Sequence, residues 1–258
     1  MKTLIILILS FFSTAFVVTA DFLADQKKHE RVKEAYAEKK AIIAKQLKDI
    51  DLNLDNINIL ITVFKEEQEL TLYVKKKTDV KYKKLTSYPI CAKSGELGPK
   101  RKQGDGQVPE GFYSIDRFNP ASSYFLSLGV NYPNQSDKIK SKAANLGGDI
   151  FIHGECVTIG CMPMTNDKIK EIYIYAIQAR DNGQLKIPVY IFPFKFTDEN
   201  VTKYTEQYKA NTGLIQFWNN LKPGYDKFHT SFQELKMKVD KNGNYELEAQ
   251  RGSPVKFD

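Results

Sequence analysis

One short stretch of the chain concentrates the residue types that can do chemistry. Residues 149–167, DIFIHGECVTIGCMPMTND, place His153 just ahead of two cysteines, Cys156 and Cys161. An imidazole next to a thiol can take its proton and produce a thiolate nucleophile. The other two histidines, in the charged N-terminal segment and the C-terminal flank, have no cysteine beside them. The cluster therefore indicates nucleophilic catalysis by a cysteine.

Metal binding is a weaker interpretation of the same cluster. One histidine and two cysteines supply three ligands, and Glu155 is the nearest fourth, but the chain holds no second Cys/His pair. Zinc sites generally combine pairs of ligands from separate segments. The glycine-rich stretch GELGPKRKQGDGQVPEGF has neither the spacing nor the following helix of a nucleotide-binding loop. We therefore predict no metal and no other cofactor.

The pairing of the three cysteines is open from the sequence. An oxidising compartment permits a Cys156–Cys161 disulfide, while Cys91 is an equally available partner for Cys156, which can also be a buried thiol. Because the number is odd, at least one thiol is unpaired or paired outside the chain. We favour Cys161 as the nucleophile, since the backbone of residues 158–160 can aim amide groups at an oxyanion beside it. An imidazole partner would let it alkylate at about pH 6 to 7.

The first 20 residues, MKTLIILILSFFSTAFVVTA, have the features of a secretory signal peptide. A lysine precedes an apolar run, and Val18-Thr19-Ala20 offers small residues where a signal peptidase cuts. We predict an exported protein cleaved near Ala20, with a single N-terminal membrane anchor as the alternative. The chain has a net charge of +7, and its lysine runs are typical of solvated faces. No nucleic-acid motif is present, so no nucleic-acid partner is expected.

Periodicity predicts a mainly β core flanked by helices. Apolar residues recur at helical spacing within 24–50, and from Asn56 the period changes to two, predicting a series of strands. A short apolar strand ends at His153, and a helix of about thirteen residues follows N-cap candidates at 165–167. A C-terminal helical stretch is predicted to break at Gly213 and at Pro223-Gly224. The predicted divisions are a signal peptide (1–20), an amphipathic helix (21–52), a catalytic domain (53–195) and a helical extension with a short hairpin tail (196–258).

The segment IHGECVTIGCMPM resembles the His-Gly…Ser/Thr-x-Gly-Cys signature of the L,D-transpeptidase catalytic (YkuD) domain, and most closely its YafK-like branch. The stretches LGPKRKQGDGQVPEGFYSIDRFNPASSYFLSLGVNYPN, IPVYIFPF and FWNNLKPGYDKF are similar to other blocks of that branch, in the same order. Together these segments cover roughly residues 55–230. The resemblance implies a YkuD-type β-rich catalytic core with an N-terminal helix and a helical C-terminal flank.

The resemblance also implies roles for individual residues. Cys161 would be the acyl-accepting nucleophile, His153 its base, and the Gly154 carbonyl the group that orients the imidazole. Gly160 and Thr158 would shape the oxyanion site. Cys156 lies outside the signature and is expected to be structural.

Two departures leave substrate binding open. Many transpeptidases have a second histidine directly before Gly-Cys and an arginine two residues after the cysteine, where this chain has Ile159 and Pro163. The residues that hold the substrate carboxylate are therefore not implied by the resemblance. Lys100 and Arg117, in and beside the glycine-rich stretch, are the nearest candidates, with exposed solvated charge as the alternative.

The implied substrates are peptidoglycan stem peptides, with wall-linked lipoprotein as a further partner. Attack of the thioester by a stem amine would form 3-3 crosslinks or attach protein to the wall, whereas attack by water would make the protein a hydrolase that releases lipoprotein. A non-catalytic wall-binding module is the alternative of another class. The expected location is the periplasm or cell envelope, peripheral to the membrane at most.

Overall fold

An eight-stranded sheet is the centre of the structure, a computed structural model that describes residues 22–248. The predicted leader lies outside these residues. The strands of the sheet are β1 (Ile57–Phe64), β2 (Glu69–Lys76), β3 (Lys83–Pro89), β4 (Gly111–Ser122), β5 (Phe125–Val130), β6 (Ile150–His153), β7 (Met162–Pro163) and β8 (Ile187–Phe192). Their order across the sheet is β3-β2-β1-β8-β4-β5-β6-β7. The predicted mainly β fold class is confirmed.

Six α-helices and a small hairpin surround the sheet within the described residues. The elements are α1 (Phe22–Lys27), α2 (Glu30–Lys48), α3 (Gln135–Lys140), α4 (Asn166–Asp181), α5 (Asp198–Gln207), α6 (Thr212–Ser231), β9 (Met237–Val239) and β10 (Tyr245–Leu247). A 3-10 turn (Leu54–Asn56) precedes β1. In residues 22–248, no helix combines the length and apolar character that crossing a bilayer requires.

One face of the sheet packs against α4 and the N-terminal helices. Alternate residues of the strands, such as Ile59 and Ile61 of β1 and Val189 of β8, are fully buried there. Ile172 and Ile177 of α4 are buried in the same cluster. Because successive side chains of a strand point to opposite faces, the intervening residues belong to the other side of the sheet.

The opposite face carries an aromatic cluster supplied largely by the C-terminal segment. Phe64 and Phe192 from the central strands pack with Trp218 and Phe228 of α6. The aromatic rings meet mainly edge to face, as do Phe194 and Trp218 at 5.2 Å between centroids. The two clusters together make the sheet a middle layer between helices.

The helices differ from the sequence predictions at three points. The N-terminal helix is divided, because His29 takes an extended conformation and begins α2 as its N-cap. The short helix α3 was not predicted; Asn134 opens it with a capping box. The predicted break at Pro223-Gly224 is wrong, since α6 continues through both residues. A Cβ on Gly224 would lie 2.3 Å from the ring of Phe112, so this glycine serves close packing.

Candidate active site

The register of β6 against β7 positions the predicted catalytic pair. These parallel strands align Ile152 with Met162 and His153 with Pro163. Ile152 and Met162 are buried in the core. Because side chains alternate along a strand, His153 and Cys161 project from the opposite face. Both line one cavity of about 180 Å³, together with Tyr124.

The imidazole of His153 is held in one tautomer. Its Nδ1 lies 2.5 Å from the carbonyl oxygen of Gly154. A carbonyl can only accept, so Nδ1 carries the proton and Nε2 is left as the basic nitrogen. The ring is 2% exposed and packs against Tyr124, with 4.8 Å between ring centroids. The arrangement gives His153 the state that a general base requires.

Burial sets the charge state of the resting pair. Desolvation lowers the pKa of His153, against the opposing effects of the Gly154 hydrogen bond and Glu155. Desolvation also raises the pKa of Cys161, which the backbone amide of Phe151 only partly offsets. Both shifts favour the neutral forms, so we expect a neutral imidazole and a neutral thiol in the resting site. The direction of both shifts opposes the expectation of a thiol that alkylates at about pH 6 to 7, which stays a prediction.

Gly154 fits a position that has no room for a side chain. A Cβ there would lie 2.5 Å from Asn166 Oδ1 and 2.9 Å from the Tyr124 carbonyl. The amide of Gly154 donates to the Leu126 carbonyl, and Asn166 accepts the amide of Glu155 at 2.9 Å. Sequence reasoning missed Asn166, whose signal was only its place directly after the helix N-cap. It fixes the loop whose carbonyl orients the imidazole.

Thr158 organises the turn that presents Cys161. Its Oγ1 accepts from the amides of Gly160 at 3.1 Å and Cys161 at 2.8 Å, and it donates to the Cys161 carbonyl at 2.9 Å. Both amides thus point at the hydroxyl. The oxyanion role of Gly160 and Thr158 stays a prediction, and the contacts show directly that Thr158 shapes the turn. Gly160 has φ +133°, and a Cβ on it would lie 3.0 Å from the Gln107 carbonyl.

A disulfide joins Cys91 to Cys156 and leaves Cys161 free. The alternative Cys156–Cys161 pairing is therefore wrong. The bridge ties the loop after His153 to the segment after β3, where the Cys91 amide also donates to the Pro163 carbonyl at 3.0 Å. Because its sulfur is in this bridge, Cys156 cannot be a metal ligand. Within residues 22–248, no three His, Cys, Asp or Glu side chains are grouped as metal ligands would be.

The two cations predicted to hold substrate are both engaged by carboxylates of the chain. Lys100 is 4% exposed, and its Nζ contacts Asp105 Oδ1 at 2.7 Å. Arg117 bonds Asp149 at 2.9 Å and Asp116 at 3.2 Å. Either cation would have to give up a partner to bind a substrate carboxylate.

A buried ion pair, which the sequence did not reveal, supports the glycine-rich segment, residues 95–111. Lys65 Nζ contacts Glu110 Oε1 at 2.9 Å, with both side chains at most 5% exposed. The carboxylate also accepts the amide of Gly98 at 2.6 Å and the indole N–H of Trp218 at 2.9 Å. The ion pair therefore connects three parts of the chain: the β1–β2 turn, the glycine-rich segment and α6.

The fold and the His–Cys site together define a class of protein that sequence comparison identifies. The family model of the L,D-transpeptidase catalytic domain, YkuD, matches residues 58–191. The chain is 41% identical over 189 residues to the "Putative L,D-transpeptidase YafK" of Escherichia coli (strain K12), covering 72% of each protein. The chain therefore belongs to the L,D-transpeptidase catalytic domain (YkuD) family.

Solved structures similar to this one include two bacterial proteins. The helical cell shape determining protein Pgp2 of Campylobacter jejuni aligns with a TM-score of 0.43 at 19% identity, over 77% of this chain and 80% of that one. Bd1075 of Bdellovibrio bacteriovorus aligns with a TM-score of 0.37 at 23% identity, over 66% of this chain and 62% of that one.

Proposed function

We propose that the protein is a cysteine enzyme that forms an acyl-enzyme on Cys161 with peptidoglycan stem peptides. The observation that carries this proposal is the cavity shared by Cys161 and His153. Cys161 is the free thiol in the described chain, and the Gly154 carbonyl leaves His153 Nε2 as the basic nitrogen. Membership of the L,D-transpeptidase family supports the choice of peptidoglycan as the substrate.

The resting neutral pair defines the first chemical step. As Sγ attacks the carbonyl carbon of the scissile amide, its proton passes to His153 Nε2, and the carbonyl oxygen becomes an oxyanion. The tetrahedral intermediate then breaks its C–N bond, and the imidazolium gives the proton to the departing amine. The products are a thioester on Cys161, a free amine and a neutral His153.

Transfer to an amine is the first candidate for the second step. A stem side-chain amine attacks the thioester, loses a proton to His153 Nε2, and expels the thiol, which regains the proton. This sequence forms a 3-3 crosslink, or attaches a protein when the amine belongs to one. The family to which the chain belongs favours transfer.

Hydrolysis is the second candidate, and the openness of the loop favours it. Ile159 and Val157, beside the nucleophile, are 88% and 54% exposed. Water can therefore approach a thioester on Cys161 from this side and replace the amine. With a wall-linked lipoprotein as substrate, the same chemistry would release the lipoprotein.

Digestion and mass spectrometry of treated sacculi distinguish these functions. Purified protein should produce 3-3 crosslinked dimers if it transfers, and trimmed stems or released lipoprotein if it hydrolyses. Cys161→Ala and His153→Ala should abolish either product. His229→Ala is the matched control, because His229, which is half-buried, also has its Nδ1 on a backbone carbonyl, that of Tyr225 at 2.9 Å. Binding to sacculi without any product would contradict the proposal and indicate a wall-binding module.

The proposed site of action is the periplasm or cell envelope, with export directed by residues 1–20. The support is the signal-peptide pattern of the sequence and the location of the proposed substrate. N-terminal sequencing of the secreted form should begin at or close to Asp21. A mature protein that retains Met1 in the membrane fraction would instead indicate an anchor.

A further inference from the structure

The turn between β4 and β5 forms one wall of the proposed active site. Two residues, Ser123 and Tyr124, connect the paired ends of these strands, Ser122 and Phe125. The ring of Tyr124 lies 4.8 Å from the imidazole of His153, measured between centroids, and lines the same cavity. Because the imidazole is 2% exposed, the tyrosine ring is part of what shields it from water. The position of this turn therefore affects the environment of the proposed base.

The backbone of the same turn packs against Gly154, whose carbonyl holds the imidazole. A Cβ on Gly154 would lie 2.9 Å from the carbonyl oxygen of Tyr124 and 3.0 Å from Cβ of Phe125. The turn thus lies against both the imidazole and the residue that orients it. A displacement of the turn would disturb His153 in two ways.

The conformation of the turn is unfavourable on its own. Phe125 has a φ of +68°, in the left-handed region that residues with a side chain rarely adopt. The pairing of β4 with β5 is also irregular between Asn119 and Ser122. A strained backbone of this kind persists where surrounding contacts hold it. The turn therefore depends on support from another part of the chain.

Arg31, in the first turn of α2, supplies such support. Its Nη1 donates to the carbonyl oxygens of both Ser122 and Phe125, the latter at 2.6 Å. The guanidinium carbon also lies 5.4 Å from the centre of the Phe125 ring. Hydrogen bonds from a charged donor are stronger than those between neutral groups. One guanidinium thus joins the two ends of the turn.

The helix that carries Arg31 is firmly attached to the domain. Val32 and Ala35 are fully buried in the core, directly beside and one turn after Arg31. Lys170 of α4 bonds two carboxylates of α2, those of Glu34 at 2.6 Å and Glu38 at 2.7 Å. The family match begins at residue 58, so α2 lies outside it. A helix outside the matched domain therefore reaches the wall of the site.

We propose that Arg31 is a positioning residue of the active site, which holds the β4–β5 turn so that the ring of Tyr124 stays on the imidazole of His153. This inference rests on the proposed function, because that function makes His153 the base. A purely structural role, in which Arg31 only attaches α2 to the domain, predicts no effect on the imidazole. The titration of His153 separates the two roles.

NMR titration of the purified protein with labelled histidine rings measures this effect without any substrate. Arg31→Met removes both hydrogen bonds and keeps an unbranched side chain against Phe125. Because shielding from water lowers the pKa of His153, a loosened turn should raise that pKa toward the ordinary value of 6.5. Glu155, whose charge acts on the ring, and Cys161, which lines the cavity, are unchanged in this variant.

Gln46→Leu is the matched control on the same helix. Gln46 accepts the hydroxyl of Tyr175 in α4 at 2.7 Å, so the variant removes a bond between α2 and α4. Both hydrogen bonds of Arg31 remain. The pKa of His153 should therefore equal that of the parent.

Tyr124→Leu tests the route by which Arg31 acts. It removes the ring without changing α2, and it should also raise the pKa of His153. Adding Arg31→Met to it should raise the pKa little further, since two residues that act through one contact are not additive. In the sacculus reaction, Arg31→Met alone should lower kcat about tenfold and leave KM within about twofold, because a displaced base slows the chemical step.

A folded Arg31→Met variant with an unchanged His153 titration would overturn the proposal, as would full additivity in the double variant. If Arg31→Met does not fold, Tyr124→Leu still decides, because an unchanged pKa there would mean that the ring does not shield the imidazole. The titration is independent of turnover. A raised pKa in a protein whose parent is inactive on sacculi would reject the proposed catalysis and retain the effect of Arg31 on the imidazole.

Discussion

At the scale of single residues, the proposed reaction starts from two neutral partners. Burial raises the pKa of Cys161 and lowers that of His153, so neither group is charged at rest. His153 is the proton acceptor only while neutral, and its lowered pKa extends that state to lower pH. The thiol keeps its proton, for transfer to the leaving amine, until the pH passes its raised pKa. Activity should therefore cover a broad range of pH.

The pH profile of kcat/KM tests this charge state. We expect a bell whose acid limb falls below the ordinary histidine value of 6.5 and whose basic limb lies above the ordinary thiol value of 9.0. The rate at which iodoacetamide alkylates Cys161 should be low at neutral pH. It should rise as the thiol ionises, over the same pH range in which kcat/KM falls along the upper limb. Rapid alkylation at about pH 6 would mean a resting thiolate–imidazolium pair and would contradict the prediction.

Thr158 offers a second test at this scale. Thr158→Val removes the hydroxyl that three backbone groups of the turn share, whereas Thr158→Ser keeps it. Loss of these bonds should lower kcat/KM at least about fivefold, since about 1 kcal/mol or more is lost from the turn that aims Sγ. The serine variant should stay within a few-fold of the parent. Equal activity of the two variants would show that the hydroxyl has no such role.

At the scale of elements, the loop between β6 and β7 is fixed at both ends. The strands hold its termini in register, and the Cys91–Cys156 bridge holds its middle. Asn166, from the start of α4, accepts the amide of Glu155. Cys161, the proposed nucleophile, is therefore presented by an element whose position depends on three separate parts of the chain.

The double variant Cys91→Ser/Cys156→Ser measures the contribution of the bridge. Closing 65 residues of chain restricts the unfolded state, and its loss should lower the free energy of unfolding by about 2–4 kcal/mol. Denaturant titration gives this value. After treatment with an alkylating reagent, mass spectrometry should still find one modified cysteine, Cys161. Unchanged stability would mean that the loop is held by its other contacts alone.

Local patterns predicted much of this scaffold, and long-range contacts explain what they missed. Alternating residues predicted the strand that ends at His153, and Thr165 is the observed N-cap of α4. Local pattern could not select Cys91 as the partner of Cys156, because the choice depends on how distant segments meet. It also predicted a helix break at Pro223, where packing against the sheet keeps α6 intact. The pKa directions required burial, which residue spacing does not provide.

At the scale of the whole molecule, the C-terminal segment is coupled to the catalytic turn. The family match ends at residue 191, yet α6 places the indole of Trp218 on Glu110, within the glycine-rich segment. Within that segment, Gln107 lies against Gly160. A continuous series of contacts thus runs from α6 to the residue before Cys161. We infer that the C-terminal segment supports the geometry of the active site.

Trp218→Phe should test this coupling, because it keeps an aromatic ring and leaves the Glu110 carboxylate without one donor. The lost bond should reduce the free energy of unfolding by about 1–3 kcal/mol and lower kcat/KM several-fold, as the glycine-rich segment shifts beside Gly160. Tyr204→Phe is the matched control, since it removes one aromatic donor, that to Glu66 at 3.0 Å, elsewhere in the same segment. Stability from denaturant titration and kcat/KM on purified muropeptides should be measured for both. If Trp218→Phe loses stability and keeps full activity, α6 supports the fold without positioning the nucleophile.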